Sequence, residues 1–154
     1  MMVNELLKDP MVLREIILDH YEYPRHHHLV EDESYHQAHM ASESCIDDIH
    51  VQALIKDNII QDINFEGVAC TISTASTSMM TELLIGKTLE EAKEIISNYY
   101  AMIDGREYDE EMLNEAISLQ GVSKQANRIK CATIGWHGIE QLINESEEDH
   151  DSKE

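Results

Sequence analysis

The sequence predicts an α+β domain in which a small antiparallel sheet of about three strands packs against helices. Two short segments within residues 49–66 alternate apolar and polar side chains. A helical stripe precedes them, and helical spacing alone follows them as far as residue 144. Strands gathered in one stretch and helices in the others mark a segregated layer architecture rather than a series of βαβ units.

The first helix is expected over 9–21, DPMVLREIILDHY. Asp9 suits the cap, Pro10 the first helical position, and Leu13, Ile16, Ile17 and Tyr21 form its apolar stripe, with Pro24 ending it. Residues 25–44 are polar and poorly periodic and read as loop. In IHVQALI, Ile49, Val51, Ala53 and Ile55 share one face; in IIQDINFE, Ile59, Ile63 and Phe65 do, and Lys56–Asp57–Asn58 supplies the turn of a hairpin. Residues 71–85 then carry Ile72, Ala75, Met79, Met80, Leu83 and Leu84 at helical spacing, closed by Gly86. Thr88 and Glu91 form a capping box for a helix whose stripe runs from Leu89 to Ile103, ended by Gly105. A shorter helix is expected over 109–119. A last one over 123–144 buries Ile129, Ala132, Trp136, Ile139 and Ile143. Residues 1–144 thus read as a single domain, and the acidic, unpatterned residues 145–154 as a disordered tail.

The chain carries 31 Asp and Glu against 11 Lys and Arg, a formal charge of −20 over 154 residues. Such a surface repels phosphate backbones and anionic headgroups, so neither nucleic acid nor membrane is expected as a partner. The opening residues MMVNELLKDP lack the basic-then-apolar shape of a secretory signal, and a cytoplasmic setting is expected. A chain of this length buries about two-thirds of its unfolded surface and needs no disulfide to fold.

The three cysteines, at spacings of 25 and 61 residues, match no short zinc-finger pattern. Their residue type leaves packing, metal ligation and nucleophilic chemistry all open. Cys45 stands two residues before Asp47, so an extended backbone would aim both side chains at one side. Cys70 stands where a strand gives way to a helix, and exposed helix N–H groups favour a thiolate. Cys131 falls well off the apolar stripe of the last helix, with Arg128 about one turn before it. Three thiolates and a carboxylate are the ligand types of a tetrahedral zinc site. His26–His28 read as a solvated loop, His20 and His137 as surface or satisfied groups, Met79 and Met80 as core, and Asp48 as a solvated charge at a strand start.

Four blocks in unbroken order carry a resemblance: IILDHYEYPRHHH, INFEGVACTISTASTSMM, GKTLEEA and LQGVSKQANRIKCATIGWHGIE. They resemble the SufU type of the IscU/NifU-like iron–sulfur cluster assembly proteins over nearly the whole chain except the tail. The insertion IDGREYDEEMLNEAISLQ and Lys130, where the scaffold type carries histidine, favour the SufU branch. The resemblance implies a SufE/NifU-like fold and zinc held by Cys45, Asp47, Cys70 and Cys131. It further implies a sulfurtransferase-type carrier that accepts persulfide sulfur on Cys45 from a SufS-type cysteine desulfurase. Arg128 would support the negative sulfur, and the onward recipient would be a SufBCD-type scaffold. Two further readings are a scaffold for a transient iron–sulfur cluster and a diverged, non-catalytic zinc-binding module. The family reads N-P-x-C-G-D around its first cysteine, whereas this chain reads Ser42-Glu43-Ser44-Cys45-Ile46-Asp47.

Overall fold

The computed structural model describes residues 8–42 and 46–152. Helix α1 (Pro10–Glu22) opens as the sequence dictates: the Asp9 carboxylate accepts the Met11 N–H at 2.9 Å and Pro10 takes the first turn. Three strands follow, β1 (His36–Ala41), β2 (Asp48–Lys56) and β3 (Ile59–Val68), in an antiparallel meander of order β1-β2-β3. Then come α2 (Thr71–Leu84), α3 (Leu89–Ile103), the single turn α4 (Glu110–Leu113), 3-10 segments over Asn114–Lys124 and Ala126–Arg128, and α5 (Ile129–Ser152).

The hairpin turn falls on Asp57 and Asn58, both with positive φ (55° and 64°), the twist that two-residue hairpins require. The strand faces differ from the alternation expected. The β2–β3 register slips at Leu54/Ile55, so that Leu54 faces Asp62 while Ile55 faces Ile60. Beyond this bulge Ile60, not Ile59, is buried with Ile63 and Phe65. The region read as loop contains β1. Its Ala38 is buried and Met40 half-buried, while His39 and Ala41 face outward.

Helix α5 covers the inner face of the sheet, with Gly138 set against Met40 and Val51. The same helix packs on α2. Gly135 lies so close to Thr77 that a Cβ there would meet the Thr77 hydroxyl at 2.3 Å. A buried polar knot fixes this approach. The Ser76 and Tyr99 hydroxyls both donate to the Ala132 carbonyl at 2.6 Å, and Trp136 Nε1 donates to Ser76 Oγ at 3.0 Å. The Tyr99 and Trp136 rings stack at 3.8 Å between centroids, 6° apart. Burial drives the Tyr99 phenol above its ordinary range, so it stays a neutral donor.

Three further sequence readings need correction. His20, not Tyr21, is the buried end of the α1 stripe. Its Nδ1 meets Ser78 Oγ at 2.8 Å and its Nε2 faces Glu115 Oε1 at 3.4 Å, while Tyr21 is exposed. A stripe of apolar residues alone omits it, because a histidine satisfied on both nitrogens stands in for an apolar side chain. The helix expected over 109–119 is one α-turn followed by 3-10 backbone, with Asn114 at φ 45° breaking the two apart. The last helix starts at Ile129 rather than 123 and continues to Ser152, beyond the expected end at 144.

Tyr99→Phe removes one of the two side-chain hydroxyls on the Ala132 carbonyl and should cost about 1 kcal/mol in chemical denaturation. Glu115 is held below the ordinary carboxylate range, chiefly by its hydrogen bond to His20. A depressed folded value means that the linked stability is present above the unfolded value and lost as pH falls through the folded one. Because the carboxylate is half-exposed, the effect is expected at about 0–1 kcal/mol. Denaturation of the wild type and Glu115→Gln should differ by that amount at pH 7 and converge as the pH falls through the depressed folded-state value.

Candidate metal centre

Strands β1 and β2 end their pairing at Ala41 and Asp48, and the Ser42 N–H donates to the Asp47 carbonyl at 3.1 Å across the base of the connecting loop. Gly67 makes the other wall. Its φ is +139°, and a Cβ at this position would lie 2.2 Å from the Asp48 carbonyl oxygen and 2.8 Å from Ile49 Cα. Only glycine lets the end of β3 lie against the start of β2, and three residues later the chain reaches Cys70.

Cys70 is the N-cap of α2, in extended conformation (φ −71°, ψ 172°), with Sγ accepting from the Ser73 N–H at 3.4 Å. Its own N–H donates to Asp47 Oδ1 at 2.8 Å, and Asp47 Oδ2 lies 4.0 Å from Cys70 Sγ. Asp47 is 1 % exposed. A carboxylate so buried is costly unless hydrogen-bonded or bound to a cation. Cys131, the third residue of α5, completes the cluster: one donor atom each from Asp47, Cys70 and Cys131 lie within 4.8 Å of one another. Ser73 Oγ, one turn into α2, is buried without a hydrogen-bond partner among the described residues.

Cys131 is 2 % exposed, although the helical angle sets it off the apolar stripe. Both facts hold because the face toward the cluster is buried between helices without being part of the apolar core. Arg128 is exposed on the 3-10 turn ahead of α5, and its guanidinium makes no hydrogen bond or ion pair among the described residues. Cys45 lies outside the described residues. Ile46, directly before Asp47, is 66 % exposed, and Val68 at the end of β3 is 64 % exposed. His26, His27 and His28 keep a partly exposed loop, with the His27 ring 5.0 Å from Phe65, and His137 sits exposed against Tyr100. Asp48 points away from the thiols, toward His39.

The donor set suits zinc. Tetrahedral Zn–S and Zn–O bonds of about 2.3 and 2.1 Å place ligand atoms roughly 3.5–4 Å apart; Asp47 Oδ2 and Cys70 Sγ stand 4.0 Å apart, and all three donor atoms lie within 4.8 Å of one another. Two sulfurs and a carboxylate oxygen leave one position to fill.

Residues 13–145 match the NifU-like N terminal domain, and the chain belongs to that family, as a SufU-type member of the IscU/NifU-like iron–sulfur cluster assembly proteins. It is 38% identical to the zinc-dependent sulfurtransferase SufU of Bacillus subtilis over 135 residues, covering 87% of this chain and 90% of the relative. The iron–sulfur cluster assembly scaffold protein IscU of Streptococcus pyogenes is 36% identical over 132 residues, covering 85% and 82%. Among solved structures, a SUF-system protein of Fervidobacterium islandicum superposes with a TM-score of 0.77 at 33% identity, covering 84% of this chain and 94% of that one. A NifU-like protein of Brucella abortus shares the fold at a TM-score of 0.76 and 20% identity, covering 95% and 98%. Among the described residues no helix is long and apolar enough to cross a membrane.

Gly67→Ala and Gly135→Ala should each lower stability by about 1–3 kcal/mol, the first through backbone strain and the second through overpacking. Gly121, which has open space around it, should accept alanine within about 0.5 kcal/mol. Urea denaturation of the three variants checks this, and equal losses at all three positions would contradict it.

Proposed function

We propose that the chain is a zinc-dependent sulfur acceptor of cytoplasmic iron–sulfur cluster assembly. It would take persulfide sulfur from a SufS-type cysteine desulfurase and pass it to a SufBCD-type scaffold. The observation that carries this reading is the convergence of Asp47, Cys70 and Cys131 donor atoms within 4.8 Å. Family membership and the likeness to a relative named as a zinc-dependent sulfurtransferase give it direction.

Asp47, Cys70 and Cys131 would hold the metal, with Cys45 as fourth ligand. Cys45 is two residues from Asp47, within about 7 Å by covalent reach alone. Bound zinc keeps thiolates deprotonated at neutral pH and protects them from oxidation. The residues do the rest. The Cys45 thiolate attacks the outer sulfur of the partner's persulfide. The partner's S–S bond breaks, its cysteine leaves as thiolate, and a new S–S bond forms on Cys45, so sulfur moves with no external oxidant or reductant. The exposed Arg128 guanidinium would stabilise the anionic persulfide. The exposed Ile46 and Val68 provide apolar surface beside the cluster for a partner to cover.

A second reading, a scaffold that assembles a transient iron–sulfur cluster on the same residues, is favoured by the likeness to the Streptococcus protein. The two readings part on colour. Protein purified without added metal should be colourless and contain zinc, whereas a scaffold contains iron and absorbs in the visible.

Cys70→Ala and Cys131→Ala should lose zinc and melt at lower temperature, and Cys45→Ala should abolish sulfur acceptance in a desulfurase stimulation assay. Ile46 occupies the position of the family glycine. Ile46→Gly opens backbone states that cost a β-branched residue about 1–2 kcal/mol and should raise stimulation by up to about tenfold. If neither the wild type nor Ile46→Gly accepts sulfur while both bind zinc, the diverged zinc-binding module is the better description.

A further inference from the structure

The solvent face of the sheet carries a second constellation of metal-ligating side chains. In the β1–β2 register His39 and His50 are direct cross-strand partners, and Asp48, two residues before His50, shares their face. The imidazoles stack with centroids 4.4 Å apart and planes 9° apart, and His39 Nε2 lies 2.6 Å from Asp48 Oδ1. One donor atom from each of the three lies within 4.8 Å of the others. We propose that His39, Asp48 and His50 form a second, surface-exposed site for a divalent transition-metal ion of the zinc, nickel and copper class.

The donor chemistry selects that class, because neutral imidazole nitrogens with one carboxylate oxygen suit borderline metals rather than calcium or magnesium. An ion pair between His39 and Asp48 accounts for those two residues but gives no role to His50, whose ring lies parallel to that of His39. A metal ion uses all three. The ring of His50 already has an orienting neighbour: the Gln37 side-chain amide nitrogen stands 3.4 Å from its Nδ1. With the amide turned so that its oxygen faces the ring, Gln37 accepts the Nδ1 proton and frees the Nε2 lone pair for the ion. Glu66, the cross-strand partner of His50 on β3, is exposed and supplies a further oxygen on the other side. Gln37 and Glu66 also line a cleft walled by Glu31, Asp32 and Glu33, whose charge raises the local cation concentration.

His39 and Asp48 are each 54 % exposed, so their side chains can open around an ion without moving the strands. Water completes the coordination, and the site exchanges its ion more readily than the buried cluster does. Asp47 and Asp48, successive residues at the start of one strand, thus serve opposite faces. This inference does not depend on the sulfur-transfer reading.

The test is calorimetric titration of the metal-stripped full chain with Zn2+. Two classes of site are expected, the weaker one reduced at least about tenfold in affinity by His39→Ala and by His50→Ala, with the tighter class unchanged. Cys131→Ser should do the reverse. In parallel, Ni2+ added to the wild type should broaden the imidazole proton resonances of His39 and His50 while sparing His137 on α5. That measurement decides the matter even if a variant fails to fold. Zn2+ binding that is unaltered by both histidine substitutions, or broadening spread equally over the histidines, would each overturn the proposal, whereas a single class of site abolished by His39→Ala would uphold it and count instead against zinc at the buried cluster.

Discussion

Thiols at the starts of two separate helices can share one ion only when those helices nearly touch, and here the contact is made by Gly135 of α5 against Thr77 of α2. The knot at the Ala132 carbonyl maintains it: the Ser76 and Tyr99 hydroxyls donate to that carbonyl, and the Trp136 indole, one turn further along α5, donates back to Ser76. Cys131 is the residue directly before that carbonyl. Its position is therefore set by a buried hydrogen-bonded knot, and the geometry of the cluster depends on packing outside it. Gly67 performs the corresponding task on the sheet side, where a close backbone approach sets Asp47 against Cys70.

Much of this was readable from residue patterns because the local signals were unambiguous. Asp9–Pro10, the Thr88/Glu91 box and the Asp57–Asn58 turn mark boundaries by chemistry that works within a few residues, and all appear where expected. What escaped depends on partners distant in sequence. Strand β1 buries only Ala38 and half-buries Met40, too little apolar alternation to stand out. The pairing of His39 with His50 depends on the β1–β2 register, which nothing local in HQAHMA announces. The 3-10 path over Asn114–Lys124 keeps apolar spacing close to that of an α-helix, and only the positive φ at Asn114 separates them.

The candidate metal centre is legible in part for the same reason. That Asp47, Cys70 and Cys131 gather follows from no spacing rule; the resemblance suggested it, and the tertiary approach of α5 to α2 accomplishes it. Cys131 shows what a stripe argument leaves open. It lies off the apolar seam yet is 2 % exposed, on a face of α5 turned toward Asp47 and Cys70.

Helix α2 carries hydroxyl residues at Thr71, Ser73, Thr74, Ser76, Thr77, Ser78 and Thr81, most of them buried. Such residues are indifferent helix formers, since their side chains compete for backbone hydrogen bonds, and a segment of this length is marginal alone even with favourable sequence. The helix exists because α1, α3 and α5 pack around it. Excised as a peptide it would be mostly coil, and the cap geometry that presents the Cys70 sulfur would vanish with it. The thiol's coordinating ability is consequently an emergent property of global cooperativity. During synthesis the ribosome must release α5 before Cys131 can meet Cys70 and Asp47, so the cluster forms only after all five helices have emerged.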